Sequence, residues 1–140
     1  MLLFDTPLCR TVIGAAISVH RSLGPGLLES AYGQCLALEL TNLQVTFDRE
    51  VAIPIDYQLA RIDCAYRADF LVGQELIVEV KSVAALAPIH VAQVMTYLRL
   101  LRLEHGLIIN FNVRRLKDGL RSVVWFANRE ISSEVPGGQE

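Results

Sequence analysis

Two acidic residues and a lysine, Asp69, Glu79 and Lys81, lie within one short stretch of this 140-residue sequence. Glu79 and Lys81 are two residues apart, so in a β-strand their side chains lie on the same face. Two carboxylates held close together repel each other unless a cation lies between them. A hard divalent cation such as Mg²⁺ prefers oxygen ligands and keeps some water, and a neighbouring lysine can orient that water or offset charge on a phosphate. The combination is typical of metal-assisted phosphodiester hydrolysis.

The loop between the two acidic residues decides whether their side chains meet. A three-residue loop at 73–75 places Val72 opposite Leu76, and Asp69 then falls opposite Glu79. A two-residue loop would place the two carboxylates on opposite faces of the sheet. We therefore predict the three-residue loop, with both carboxylates on one face of two adjacent antiparallel strands.

An ordinary solvated strand is the alternative interpretation of Glu79 and Lys81. For a Glu-x-Lys pair alone this alternative is favoured, and the matching position of Asp69 brings the two interpretations close to equality. Lys81 is one of only two lysines in the chain, the other being Lys117, and it follows the apolar residue Val80.

A helix predicted from Pro88 to about Leu103 carries three further polar residues, His90, Gln93 and Tyr97, on one face. Gln93 and Tyr97 could bind a phosphate, a base or a metal-bound water, and we expect them to line the same cleft as the acidic pair. The alternative is a surface face whose side chains bond to their neighbours. For His90 alone a structural role is the more common outcome.

Glu29 and Tyr32 share a face near the start of another predicted helix, which runs from about residue 27 to 43. A glutamate at a helix N-terminus is stabilised by the helix dipole, and this alone could account for Glu29. If the acidic pair forms a metal site, we expect Glu29 to approach Asp69 and Glu79.

Composition limits the class of protein. Thirteen lysines and arginines against 15 acidic residues give a net charge of −2, which excludes a simple basic nucleic-acid coat. An apolar share of 52% supports a packed single domain over 1–131, with a flexible tail at 132–140. No apolar run approaches the ~20 residues of a membrane span, and the first residues do not resemble a signal peptide. We expect a soluble, cytoplasmic protein whose cysteines, Cys9, Cys35 and Cys64, are reduced.

The apolar pattern predicts the element order ααβββαββ, an α/β fold with a mixed central sheet flanked by helices. The first helix starts at Thr6, an N-cap residue followed by Pro7. Short loops between the first three strands favour an antiparallel meander, and Pro54 indicates an edge or a bulge. The fourth strand reads as buried and central, and a turn at 114–119 follows it. The predicted strands are 45–57, 61–72, 76–83, 107–111 and 121–127.

Several stretches resemble the GxxExxY protein family, whose name describes the pattern Gly26-x-x-Glu29-x-x-Tyr32. The resemblance extends from about residue 12 to 124. That family is similar to the PD-(D/E)XK nuclease superfamily, in its RecB-like exonuclease branch, whose restriction-endonuclease-like core is a mixed sheet with flanking helices. The other matching segments are Asp63-Cys-Ala-Tyr-Arg-Ala-Asp69, Pro88-Ile-His-x-Ala-Gln-x-x-Thr-Tyr97-Leu and Gly106-Leu-Ile-Ile-Asn-Phe-Asn112.

The resemblance implies a metal centre. Glu29, Asp69 and Glu79, together with the backbone carbonyl of Val80, would hold Mg²⁺ or Mn²⁺. Lys81, the lysine of the (D/E)XK pair, would position the attacking water.

The resemblance also implies a surface for the substrate. Gln93 and Tyr97 match the QxxxY motif of the exonuclease branch, and Tyr32 and His90 are expected near the nucleic acid. Ala68 stands where the family pattern has proline before the first acid. The remaining basic cluster could contact the DNA backbone, although a solvated turn is the favoured alternative; it consists of Arg114, Arg115, Lys117 and Arg121.

Three functional hypotheses follow. The leading one is a metal-dependent DNA nuclease, with exonuclease action as one mode. The second is a non-catalytic module that keeps the nuclease fold and docks a partner protein or a second copy of the chain. The third is a metal-dependent hydrolase of small phosphate esters. The sequence has no P-loop, so any motor that acts with it would be a separate chain.

Overall fold

The computed structural model describes residues 6–63 and 66–126. Cys64, the last residue of the predicted strand at 121–127 and the predicted tail at 132–140 lie outside these residues. Among the described residues, no helix is both long enough and apolar enough to cross a membrane.

Three α-helices form where the sequence predicts them. Thr6 caps the first, because its hydroxyl accepts a hydrogen bond from the N–H of Cys9 at 3.1 Å. Gly24 ends the same helix with a φ of 66°, a conformation that glycine adopts without strain. The helices are α1 (Pro7–Leu23), α2 (Glu29–Asn42) and α3 (Pro88–Leu101).

Seven strands lie in two sheets. The five-stranded sheet has the order β1-β4-β5-β6-β7, and the two-stranded sheet is the β2–β3 hairpin. Strands β5 and β6 are parallel and are connected through α3, whereas the other neighbours are antiparallel. A short 3-10 helix, Leu116–Gly119, occupies the turn predicted before the last strand. The strands are β1 (Phe47–Ala52), β2 (Ile55–Tyr57), β3 (Ala60–Ile62), β4 (Arg67–Val72), β5 (Leu76–Lys81), β6 (His105–Asn110) and β7 (Leu120–Val124).

The predicted class of fold is confirmed, and the first three predicted segments pair antiparallel in chain order as expected, but they are not three continuous strands. The segments 45–57 and 61–72 each contain two strands, so β1 pairs with β4 and the chain between them forms a separate hairpin. Pro54 lies at the break between β1 and β2. Proline has no N–H to donate to a strand ladder, so the chain leaves the sheet there.

Helices cover both faces of the five-stranded sheet. Helices α1 and α2 pack on one face, and α3 packs on the other. Strand β6 lies between β5 and β7, and its residues Leu107, Ile108 and Ile109 are fully buried, as the apolar run predicts. Cys9 is buried and Cys35 half-buried, and both are free thiols. The sheet is therefore a rigid support for side chains at the ends of β4 and β5.

Candidate active site

The β4–β5 hairpin has the predicted register. Val72 pairs with Leu76, and the ladder continues to Phe70 opposite Val78. The turn at 73–75 is made by two successive residues with φ near 60°, a conformation that twists the strands in the sense a hairpin requires. Continuing this register places Asp69 opposite Glu79.

Beyond Phe70 and Val78, the two carboxylates replace the regular backbone ladder. The Oε2 atom of Glu79 accepts a hydrogen bond from the N–H of Asp69 at 2.6 Å. In return, the Oδ2 atom of Asp69 accepts one from the N–H of Val80 at 2.8 Å. The two acids are therefore tied crosswise in the gap between the strands, and each is left with its other carboxylate oxygen.

The acidic pair lies in a poorly hydrated place. Only 3% of Glu79 is exposed, and the Nζ atom of Lys81 lies 4.0 Å from its Oε1 atom. Burial, followed by the charge of Asp69, raises the pKa of Glu79 to about 8. Burial also raises the pKa of Asp69, opposed by the Val80 hydrogen bond and the charge of Lys81. Two full negative charges are thus unfavourable here without a further cation.

Helix α2 brings Glu29 to the same place, as predicted. Its Oε2 atom accepts a hydrogen bond from the N–H of Ser82 at 3.2 Å, just beyond Lys81. The charge of Glu29 contributes to raising the pKa of both Asp69 and Glu79. A polar pocket of about 630 Å³ opens here, lined by Glu29, Ser30, Gly33, Gln34, Arg49, Glu50, Asp69, Phe70 and Val80.

The segment that follows Lys81 is clamped from two sides. The amide of Asn110, on β6, accepts a hydrogen bond from the N–H of Val83 at 3.1 Å and donates to the carbonyl of Val83 at 3.0 Å. The hydroxyl of Ser82 donates to the carbonyl of Leu27 at 2.6 Å. Asn110 and Ser82 therefore hold the end of β5 in fixed relation to α2, and neither was singled out from the sequence. In the sequence, Asn110 could have been recognised as a polar residue at the end of an apolar strand.

Gln93 and Tyr97 lie on α3 beside a second pocket, and the prediction that they share one cleft with the acidic pair stays a prediction. This apolar pocket has a volume of about 310 Å³. Tyr97 is 4% exposed, and burial, followed by the charges of Glu79 and Asp69, raises the pKa of its hydroxyl to about 12. Tyr97 is thus close enough to Glu79 and Asp69 for their charges to act on it, although its side chain lines the apolar pocket. The pocket is lined by Ile53, Ile55, Tyr66, Ile89, Ala92, Gln93, Thr96, Tyr97 and Leu100.

Tyr32 has a structural position that contradicts its predicted contact with nucleic acid. Its side chain is fully buried and its ring stacks on that of Phe111, with 4.5 Å between the ring centres. Its hydroxyl donates to the carbonyl of Gly24 and accepts from the N–H of Leu27 at 3.1 Å. Tyr32 faces the sheet because the inner face of α2 packs there, and its hydroxyl shapes the loop that leads to Glu29.

His90 also has a structural contact. Its Nδ1 atom accepts a hydrogen bond from the N–H of Ala87 at 2.9 Å, which ties the residue before α3 to the first turn of that helix. Only the Nε2 atom is left for another partner, and the predicted contact of His90 with nucleic acid stays a prediction.

The predicted basic cluster lies outside both pockets. Arg114, Arg115 and Lys117 are exposed in the segment between β6 and β7, and Arg121 is half-buried on β7, opposite Ile108. Strand β7 is two positions from β5 in the sheet order. Their contact with DNA stays a prediction.

Arg49 on β1 is a site residue that the sequence did not single out. It lines the polar pocket, and the central carbon of its guanidinium lies 5.0 Å from the ring centre of Phe70. Its position two residues before Val51, in the period-two series of that strand, was the available signal. A charged residue that continues an apolar series often has a specific partner.

The donors at the acidic pair match a hard divalent cation in type. Asp69, Glu79 and Glu29 supply carboxylate oxygens. The carbonyl of Lys81 accepts from the N–H of Phe111, the residue that follows β6. Since successive carbonyls of a strand alternate in direction, the Val80 carbonyl turns toward β4. Carboxylates, a carbonyl and water suit Mg²⁺. Within 6–63 and 66–126, however, no three acidic, histidine or cysteine side chains are already close enough to hold a metal ion.

The fold and the family now agree. The chain belongs to the PD-(D/E)XK nuclease superfamily, whose model matches residues 6–123. No curated protein matches the chain. Among solved structures, it is similar to the protein of "Crystal structure of SSO0001", with a TM-score of 0.48 and 16% identity. The match covers 86% of this chain, which spans 65% of the length of that one. The match to the family model is what shows a nuclease-type fold.

Proposed function

We propose that the protein is a cytoplasmic, Mg²⁺- or Mn²⁺-dependent DNA nuclease that acts as an exonuclease, of the GxxExxY family and the RecB-like branch. The observation that carries the proposal is the crosswise pair of Asp69 and Glu79, with Lys81 beside it. A purely structural strand pair would gain more from an unbroken backbone ladder than from two buried carboxylates.

Asp69, Glu79 and the Val80 carbonyl are the groups that would hold the cation, with Glu29 completing the set. A bound divalent cation supplies a more acidic water and polarises the phosphate. The crosswise hydrogen bonds fix one oxygen of each acid, so both carboxylates are oriented before any ligand arrives.

Lys81 is suited to position the nucleophile. Its side chain is only 16% exposed, and its ammonium lies beside the Oε1 atom of Glu79. Because Glu79 holds the Lys81 ammonium there, the ammonium has few other orientations. Its remaining N–H donors can therefore orient a water or stabilise charge on the phosphate.

Tyr97 and Gln93 are suited to organise the substrate from the α3 side. A pKa of about 12 keeps the Tyr97 hydroxyl protonated at neutral pH, so it acts as a hydrogen-bond donor. The Gln93 amide offers both a donor and an acceptor on the wall of the apolar pocket.

The alternative is a non-catalytic nuclease-fold module that docks a partner protein. Exposed apolar side chains on the β2–β3 hairpin favour it, namely Tyr57, Leu59 and Ile62, together with Ile89 on α3. Clustered apolar exposure of this kind is common at binding surfaces.

Cleavage assays separate the two functions. The purified full chain is incubated with end-labelled linear DNA, single- and double-stranded, with closed circular DNA and with RNA, in Mg²⁺, Mn²⁺ or EDTA. We expect linear DNA to be shortened to nucleotides only with metal, while closed circles survive.

The matched control is Asp69→Asn, purified in parallel to reveal contaminating nucleases. Cleavage that persists in this variant, or a parent that cleaves nothing with either metal, would overturn the proposed activity. Cleavage of closed circular DNA would support a nuclease activity but contradict the proposed exonuclease action.

A further inference from the structure

Arg49 is an exposed cation in a pocket of acids. Glu29, Glu50 and Asp69 line the same polar pocket. Nevertheless, the part of the chain that the structure describes contains no ion pair of Arg49 within 4.0 Å of an acidic oxygen. The guanidinium lies instead over the Phe70 ring, a contact that leaves its N–H donors around the edge of the plane free to bind a ligand.

The position of Arg49 matters to an anionic ligand. Arg49 and Asp69 line the same polar pocket, so the guanidinium acts on the same space as the acidic pair. A phosphate that enters a pocket lined by three carboxylates meets strong repulsion. A divalent cation would offset part of this repulsion, and Arg49 is the cationic side chain among the residues that line this pocket.

Helix α2 leaves room for this guanidinium. A Cβ atom added at Gly33 would lie 3.2 Å from the Nη2 atom of Arg49. A side chain at this position would therefore require the guanidinium to shift by a few tenths of an ångström. The guanidinium lies over the Phe70 ring, and the lack of a side chain at Gly33 leaves space beside its Nη2 atom.

We propose that Arg49 is the phosphate-binding residue of the polar pocket and takes a backbone phosphate of single-stranded or frayed DNA, next to the acidic pair. A planar guanidinium matches two phosphate oxygens with two parallel N–H donors. Here Phe70 has already oriented the group. The inference rests on the proposed function for the identity of the ligand as DNA. The competing role for Arg49 is simple compensation of the acids.

Binding measurements on the full chain test the inference. Fluorescence anisotropy of a labelled single-stranded oligonucleotide in Ca²⁺, over a range of salt concentrations, compares the parent with Arg49→Gln and Arg49→Lys. We expect Arg49→Gln to weaken binding by about 10- to 100-fold. It should also lower the slope of log affinity against log salt by about 0.7, as expected for one lost phosphate contact on a single strand.

Arg49→Lys keeps the charge but loses the two parallel N–H donors of the guanidinium. We therefore expect intermediate binding with an unchanged salt slope. The matched control is Arg61→Gln, which removes the same charge from β3, where Arg61 pairs with Asp63 at 3.1 Å. Its binding should remain close to that of the parent.

Gly33→Ala is a second variant that leaves Arg49 in place. The added methyl would push the Nη2 atom of Arg49 slightly aside, so binding should weaken modestly while the melting shift caused by Mn²⁺ is retained. Charge compensation predicts something else: Arg49→Gln would lower the metal-free melting temperature and strengthen Mn²⁺ binding, with DNA affinity and salt slope unchanged. That result, or equal loss in Arg61→Gln, overturns the inference.

Failure of this inference is distinguishable from failure of the proposed function. If the parent cleaves DNA and Arg49→Gln cleaves and binds it equally well, only the proposed role of Arg49 is contradicted. If the parent binds DNA through Arg49 but does not cleave it, only the proposed nuclease activity is contradicted.

Discussion

The two halves of the β4–β5 hairpin differ sharply although one register builds both. Near the turn, Phe70 and Val72 pair with Val78 and Leu76, and all four side chains are buried. Farther from the turn, Asp69 and Glu79 lie in the same gap and replace the ladder with side-chain hydrogen bonds. Apolar burial in the first half stabilises the fold, whereas charge burial in the second opposes it. Functional groups are held where the regular pattern is broken, and the adjoining regular part supports them.

The largest expected contrast is between Ile77→Ala and Asp69→Asn. Ile77 is fully buried, so truncating it should lower the free energy of unfolding by about 2–5 kcal/mol, while Mn²⁺ still stabilises the protein. Asp69→Asn keeps an oxygen to accept from Val80 and removes one charge. Without metal it should be at least as stable as the parent, but cleavage and the metal effect should be lost.

Urea unfolding of both variants, with EDTA and with Mn²⁺, checks this contrast. Metal at 100-fold over its dissociation constant adds roughly 2.7 kcal/mol to the parent. The metal-site interpretation of Asp69 and Glu79 would be contradicted if Asp69→Asn were clearly destabilised and the stability of the parent did not change with metal.

A pH dependence of stability is the next expected effect. Because the pKa of Glu79 rises from 4.5 to about 8 on folding, the folded state binds more protons than the unfolded state between these values. Stability of the metal-free protein should therefore fall, by a few kcal/mol, as the pH rises from about 5 to 8.

Unfolding curves at several pH values in EDTA measure this fall. Glu79→Gln keeps the hydrogen bond to Asp69 and cannot titrate, so its stability should change much less over the same interval. Added Mn²⁺ should reverse the trend of the parent, since the metal binds deprotonated acids. Equal pH profiles for the parent and Glu79→Gln would be incompatible with the buried pair.

The smallest expected effect is that of Tyr97→Phe. Loss of one donor should lower kcat by about 5- to 10-fold and change stability by within about 1 kcal/mol. Since the pKa of Tyr97 is about 12, the pH profile of kcat below pH 9 should keep its shape. A shifted pH profile would mean that Tyr97 transfers a proton, which its raised pKa opposes.

The sequence predicted the parts of the fold that depend on local chemistry. Thr6 and Pro7 fixed the start of α1, and the loop at 73–75 fixed the register that joins Asp69 to Glu79. Turn length and side-chain alternation are short-range rules, so they could be applied without knowing the rest of the chain.

Other features depend on contacts between distant segments. The separate β2–β3 hairpin between β1 and β4 was missed, because strand partners are not fixed by local pattern. The burial of Tyr32 and the position of Arg49 over Phe70 likewise follow from which face meets the sheet. Motif spacing placed Tyr32 correctly on the helix but assigned it the wrong surroundings.

The clamp at the end of β5 has a consequence for synthesis of the chain. Glu29 and Ser82 are 53 residues apart, and Asn110 reaches back 27 residues to Val83. Closing such long loops comes late in folding, after the local hairpin has formed. A nascent chain that has left the ribosome only as far as α3 already contains every acid of the site, but not the amide that fixes Val83. An unfinished chain therefore lacks the hydrogen bonds that hold the segment after Lys81 against β6.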